Sequence, residues 1–123
     1  MDNELDLLLG TAIDSLVKLD LLLYLHARPG IVQKPEDIAG PLRRAGDEII
    51  QALEGLSEAG LIDRSPLGSG RHVVYGPTED EHVRELIAVI YDRYHRDPES
   101  RAQLVRVITR PRETDPSPRR ADP

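Results

Sequence analysis

Gly46-Asp47-Glu48-Ile49-Ile50-Gln51-Ala52-Leu53-Glu54-Gly55-Leu56-Ser57-Glu58-Ala59-Gly60 is the stretch from which the rest of the chain is read. Ile49, Leu53 and Leu56 recur at steps of four and three, so they share one side of a helix and form a buried row. Gly60 is the C-terminal stop, because glycine accepts the left-handed turn that ends a helix. The opposite side carries Asp47, Glu48, Ile50, Gln51, Glu54 and Glu58. From Ala45 to Gly60 there are four acids and no base.

Upstream, Arg43-Arg44-Ala45-Gly46 is a tight turn. Before it, Pro35-Glu36-Asp37-Ile38-Ala39-Gly40-Pro41-Leu42 reads as a short helix: proline suits its first position and the early acids complement the positive helix end. Pro41 is expected to end or kink it. Ile31-Val32-Gln33 reads as a short strand, set off by Arg28-Pro29-Gly30. From Glu4 to about His26, Leu5, Leu8, Leu9, Ala12, Ile13, Leu16, Leu19 and Leu23 follow helical spacing. Gly10 and the cap-forming pair Asp14-Ser15 predict a break near residues 10 to 15. Leu7, Val17, Leu21, Leu22 and Leu25 lie off that stripe. Two explanations stand side by side: a surface for a partner, or a helix wrapped by the C-terminal helices of its own chain.

Downstream, Leu61–Ser65 and Arg71–Tyr75 are strand-like, and Pro66-Leu67-Gly68-Ser69-Gly70 between them is rich in turn formers, which predicts a β-hairpin. Thr78-Glu79-Asp80-Glu81 has capping-box spacing and opens a helix with Val83, Leu86, Ile87 and Ile90 on one side. Asp97-Pro98 starts a last helix in which Ala102, Val105 and Ile108, or Leu104 and Val107, could pack. From Arg110 on there are four prolines in 14 residues and no aliphatic residue but Ala121, a composition that predicts a disordered Pro/Arg-rich tail over 110–123. The expected organisation is one domain over 1–109 with its core at about 15–77.

Composition narrows function. The 123 residues include no Cys, Phe or Trp and four Tyr, so the core is aliphatic, base stacking is disfavoured, and disulfides and thiolate chemistry are excluded. Sixteen Lys and Arg against 22 Asp and Glu give a net charge of -6, which gives little long-range attraction to phosphate. The longest charge-free run of the Leu-rich N-terminus, Leu7–Ile13, is far short of the roughly 20 residues a membrane span needs. Asp2, Glu4 and Asp6 have the wrong sign for a secretory leader, so a cytoplasmic location is expected. His26, His72, His82 and His95 form no metal-ligand spacing. Asp92, His95 and Glu99 read as a solvated helix face before a metal site. Ser65, Gly68, Ser69 and Gly70 make no phosphate loop. No enzyme activity, metal or cofactor is expected.

The order helix, short strand, helix, turn, helix, two-stranded wing resembles the winged helix-turn-helix. The tract Ala52–Arg64, with its Leu53, Leu56 and Ala59-Gly60-Leu61-Ile62 pattern, resembles the recognition helix and first wing strand of bacterial transcription regulators of the MarR and ArsR type. Pro35-Glu36-Asp37-Ile38-Ala39 matches the helix that precedes recognition in those proteins. The resemblance covers about residues 15 to 77. It implies a mainly α fold with a small β-hairpin (α+β), flanked by N- and C-terminal helices that commonly dimerise, here Leu7–Leu25 and Val83–Ile108.

The resemblance also implies double-stranded DNA as a partner. The residues to carry it are Arg43, Arg44, Gln51, Arg64, Arg71 and His72, with Lys34 nearby, the arginine of a wing tip entering a minor groove. The acidic helix points elsewhere. Asp47 and Glu48 are explained as helix N-terminal caps, but Glu54 and Glu58 are not, and their charge opposes insertion into a groove. The alternative function is a protein-interaction or assembly module. In it Asp47, Glu48, Ile50, Glu54 and Glu58 meet a basic protein partner.

Overall fold

The computed structural model describes residues 5, 7–68 and 72–109. Arg71, with Ser69 and Gly70 of the wing turn, lies outside these residues, as do Asp2, Glu4 and Asp6 and the expected tail 110–123. The described elements are α1 (Leu16–His26), α2 (Pro35–Leu42), α3 (Gly46–Glu58), β1 (Ile62–Leu67), β2 (His72–Pro77), α4 (Glu81–Arg96) and α5 (Pro98–Thr109). The fold is mainly α with a single antiparallel hairpin.

The N-terminal segment breaks where its sequence predicts. Gly10 sits at φ 90° and donates to the Ile13 carbonyl at 2.8 Å. Ser15 then caps α1, its side chain accepting from the Lys18 amide. Helix α1 is the hub: it packs on α3, α4, α5 and β2. Leu19, Leu21, Leu22, Leu23 and Leu25 are all buried. Of the surplus apolar residues, Leu21, Leu22 and Leu25 are buried within the chain itself, but α3 and β2 pack on α1 as well as the expected C-terminal helices α4 and α5. Leu7 is 69% exposed, and Leu16, a member of the main stripe, is exposed as well.

Helix α2 ends at Leu42, with Pro41 inside its last turn and Arg43 left-handed at φ 57°. Arg43 is the one described non-glycine residue at positive φ. Its strained backbone turns the chain so that α3 can pack on α2. Ile49, Leu53 and Leu56 are completely buried, joined by Ala52. Gly60, at φ 79°, reverses the chain into the wing. The core is one aliphatic cluster running from Leu5 to Ile108, with Tyr75 its single fully packed aromatic among the described residues.

Several details differ from expectation, each for a local reason. Ile31-Val32-Gln33 is no strand: Gln33 alone bridges Tyr75, while Ile31 and Val32 are exposed. The hairpin is longer than expected, because Pro66 and Leu67 belong to β1 rather than to the turn. Asp80, not Thr78, is the N-cap of α4, accepting from the Val83 amide at 3.0 Å, and Thr78 accepts from the Asp80 amide instead. The N-cap of α3 is Ala45, with no side-chain cap bond. Asp47 and Glu48 therefore act in the first turn, through the helix dipole, and not as caps. In α5 Leu104 and Ile108 are buried, Val105 and Val107 half-buried, and Ala102 exposed. The packing face thus mixes the two alternatives. Asp97 does start α5, its carboxylate accepting from the Ser100 amide at 2.7 Å.

Candidate functional site

The α2-turn-α3 unit and the wing present the surface that the sequence singles out. On α3 the core row leaves Asp47, Glu48, Ile50, Gln51, Glu54 and Glu58 exposed. Ile50 is 41% exposed, an apolar side chain set among acids. This face carries no cation of its own.

The two arginines of the turn behave differently. Arg43 is exposed, and no ion pair ties it among the described residues. Arg44 is half-buried: it donates to Asp20 of α1 at 2.7 Å and approaches Glu48 at 3.8 Å. Its Nε is buried without a hydrogen-bond partner among the described residues. The guanidinium thus fastens the turn to α1, and its charge is largely spent within the fold. Asp20 is the residue that sequence reasoning missed here. It stands 24 positions before Arg44, and no spacing rule joins two residues that meet only when α1 crosses the turn.

On the wing, Arg64 of β1 and His72 of β2 are both exposed. They sit at different levels of the hairpin, since Arg64 faces Tyr75 and His72 faces Leu67. Lys34 is half-buried at the start of α2. Among the described residues, Arg43 precedes the acidic helix and Arg64 stands beside its C-terminal half. Between the C-terminal half of α3 and β1 lies an open groove lined by Glu54, Ser57, Glu58, Gly60, Asp63 and Arg64, among others. Asp63, a second residue without sequence signal, accepts the Glu79 amide and ties the wing to the start of α4.

Behind the wing, His26 at the end of α1 packs its ring 5.1 Å from that of Tyr91 on α4, and Tyr91 in turn lies 4.3 Å from His95. Partial burial, then the nearby Arg84 guanidinium, hold His26 below the ordinary histidine pKa. The Asp97 carboxyl is likewise low, chiefly because the Ser100 amide donates to it. Asp92 pairs with Arg96, and His95 Nδ1 meets the Tyr91 carbonyl at 2.9 Å. Among the described residues no group of three His, Cys, Asp or Glu could hold a metal, and no helix is long and apolar enough to cross a membrane.

No protein-family profile matches the chain, and no curated protein matches it in sequence. Solved structures do match in fold. MepR of Staphylococcus aureus, a transcription regulator of the multidrug efflux pump MepA, superposes with a TM-score of 0.53 at 21% identity over 84% of each chain. A MepR mutant bound to an oligodeoxyribonucleotide gives 0.53 at 21%, over 84% of this chain and 83% of that one. A mutant of ZitR from Lactococcus lactis gives 0.56 at 19%, covering 72% of this chain, which spans only 57% of the ZitR chain. At such identities the likeness shows the fold alone, a winged helix-turn-helix.

Proposed function

We propose that the chain is a non-catalytic, transcription-regulator-like winged-helix protein that touches double-stranded DNA weakly, through its turn and wing rather than by inserting α3. One observation carries this reading: exposed Arg43 and Arg64 flank a helix whose own exposed face holds four acids and no base. The oligodeoxyribonucleotide bound by MepR supports DNA as the ligand class. Phosphate contacts from the flanking cations supply salt-sensitive, largely sequence-independent affinity. Acids on α3 repel the backbone unless such cations offset them. Gln51 is the remaining exposed α3 side chain able to donate to a base edge, while Arg44 stays with Asp20. Arg71 and His72 would add wing contacts.

Binding of random-sequence duplex DNA across a salt series tests this. The expected result is weak affinity that falls steeply with salt and falls further in Arg43→Ala with Arg64→Ala. Binding unchanged by that pair of substitutions would remove the turn-and-wing contact.

A second reading is favoured by Ile50, whose 41% exposure among Asp47, Glu48, Glu54 and Glu58 suits a basic protein partner. A protein of this second kind shows almost no affinity for the duplex at any salt. Homodimerisation through the flanking helices belongs to the same proposal, and exposed Leu7 and Leu16 are what the structure leaves for it. Sedimentation as a monomer at micromolar concentration would reject the dimer.

A further inference from the structure

The outer edge of β1 is open, and its backbone polarity follows from the hydrogen bonds on the other side of the sheet. Tyr75 exchanges both backbone bonds with Gln33: the Gln33 amide donates to its carbonyl at 2.9 Å, and its own amide donates to the Gln33 carbonyl at 2.8 Å. Both polar groups of Tyr75 therefore point away from β1. Its cross-strand partner Arg64 is then in a non-hydrogen-bonded pair, and the alternation of an antiparallel ladder puts Ile62 opposite Pro77 and Pro66 opposite Val73 in the same class. The prolines agree with this assignment, since neither has an amide to give the ladder. On the outer edge of β1 the Arg64 N–H thus lies between outward carbonyls of Ile62 and Pro66, beside its own. No backbone partner meets the Arg64 amide among the described residues.

That edge borders the groove beneath α3. Glu54 and Glu58 stand on successive turns of α3 above it, both exposed and with no cationic partner among the described residues. Asp63 also lines the groove, its carboxylate accepting the Glu79 amide, and Arg64 is the one cation lining it among the described residues. An open strand edge accepts another extended chain. The carboxylates select which one. The same edge of a second copy of this chain would bring acids against acids.

We propose that the β1 edge is a docking site for a short, extended, lysine- or arginine-rich segment of a partner protein, which adds a strand beside Ile62–Pro66 and sets its cations against Glu54 and Glu58. The outward amide that Pro66 lacks ends the pairing, so only a few residues of the segment are read as backbone. This site lies beyond the DNA reading and does not depend on it, because it uses the Arg64 backbone where DNA would use the Arg64 side chain.

The probe is a fluorescein-labelled Lys-Val-Lys-Val-Lys-Val peptide, with Glu-Val-Glu-Val-Glu-Val as its counterpart, added to the full chain. The basic peptide should bind with an affinity that falls with salt, the acidic one should not, and hydrogen exchange of the Arg64 amide should slow on binding. Arg64→Ala keeps the amide and removes a like charge, so it should bind at least as well as the wild type. Arg64→Pro removes the amide at an edge position that tolerates proline, and should weaken binding about tenfold or more relative to Arg64→Ala. Glu54→Gln with Glu58→Gln should weaken it about fivefold or more and flatten the salt dependence. Equal binding by Arg64→Pro and Arg64→Ala, or no binding by the wild-type chain, overturns the proposal. If Arg64→Pro does not fold, exchange at the wild-type Arg64 amide decides: protection supports strand addition, and an unchanged rate overturns it.

Discussion

Helices α1 and α3 are close in length, at 11 and 13 residues, and they touch, yet they live in different surroundings. Helix α1 shows leucines on nearly every side, and α3, α4, α5 and β2 cover them. Helix α3 is two-faced: its inner row is buried without remainder and its outer row is charged. An apolar surplus on a helix is thus no sure sign of a partner, since the same pattern arises when a chain folds around its own helix. A two-faced helix, in contrast, leaves half its surface for an external purpose. In this protein that half is acidic where a groove-reading helix needs neutral or basic groups.

The sharpest way to break this contrast is truncation on each helix. Leu25→Ala on α1 should cost about 2–5 kcal/mol in chemical denaturation, because the site is fully closed, whereas Ile50→Ala on α3 should stay within about 0.5 kcal/mol. Comparable losses at the two sites would mean that the outer face of α3 is part of the fold after all.

The two arginines of the turn give the next test. Arg44→Ala should cost roughly 1 kcal/mol by stranding Asp20, yet leave the salt slope of duplex binding unchanged. Arg64→Ala should do the reverse, lowering the slope by about one unit with little loss of stability. A slope that responds to Arg44 would show that its charge remains available to ligand.

Arg43 separates fold from function in a third way. Its left-handed backbone suits glycine, so Arg43→Gly should raise the thermal midpoint, by about 0.5–1 kcal/mol of stability, while weakening DNA binding. Loss of stability would instead assign the side chain a packing role.

The smallest effect concerns pH and the far end of α1. Because His26 is held low when folded, the unfolded chain takes up that proton more readily than the native state. Its contribution is intact above the ordinary histidine pKa of about 6.5 and is lost as pH falls from there through the lower native value. His26→Gln should therefore flatten the decline of the thermal midpoint below about pH 6.5. An unchanged profile would place that decline with other groups.

Much of this architecture is local and therefore legible in the chain. Ile49, Leu53 and Leu56 repeat at helical spacing, Pro35 opens a helix, Gly60 ends one, and Gly10 with Ser15 divides the N-terminal segment. Each is a property of neighbours within a turn or two. The candidate site is legible only in part. The acids of α3 can be read from its periodicity, because the positions opposite a buried row must face outward. The fate of Arg44 cannot, because Asp20 reaches it from another helix. Nor can the choice between Thr78 and Asp80 as cap, which turns on where the wing delivers the chain to α4.

By itself, the sequence determined a winged core, an aliphatic interior and an acid-faced helix, since each follows from short-range periodicity and side-chain chemistry. Only the tertiary structure decided that α1 is swallowed by its own chain, that Arg44 is spent on Asp20, and that β1 turns the Arg64 amide outward beside Glu54 and Glu58. Those outcomes depend on which distant segments meet, and side-chain pattern along one strand or helix carries no record of what will lie across from it.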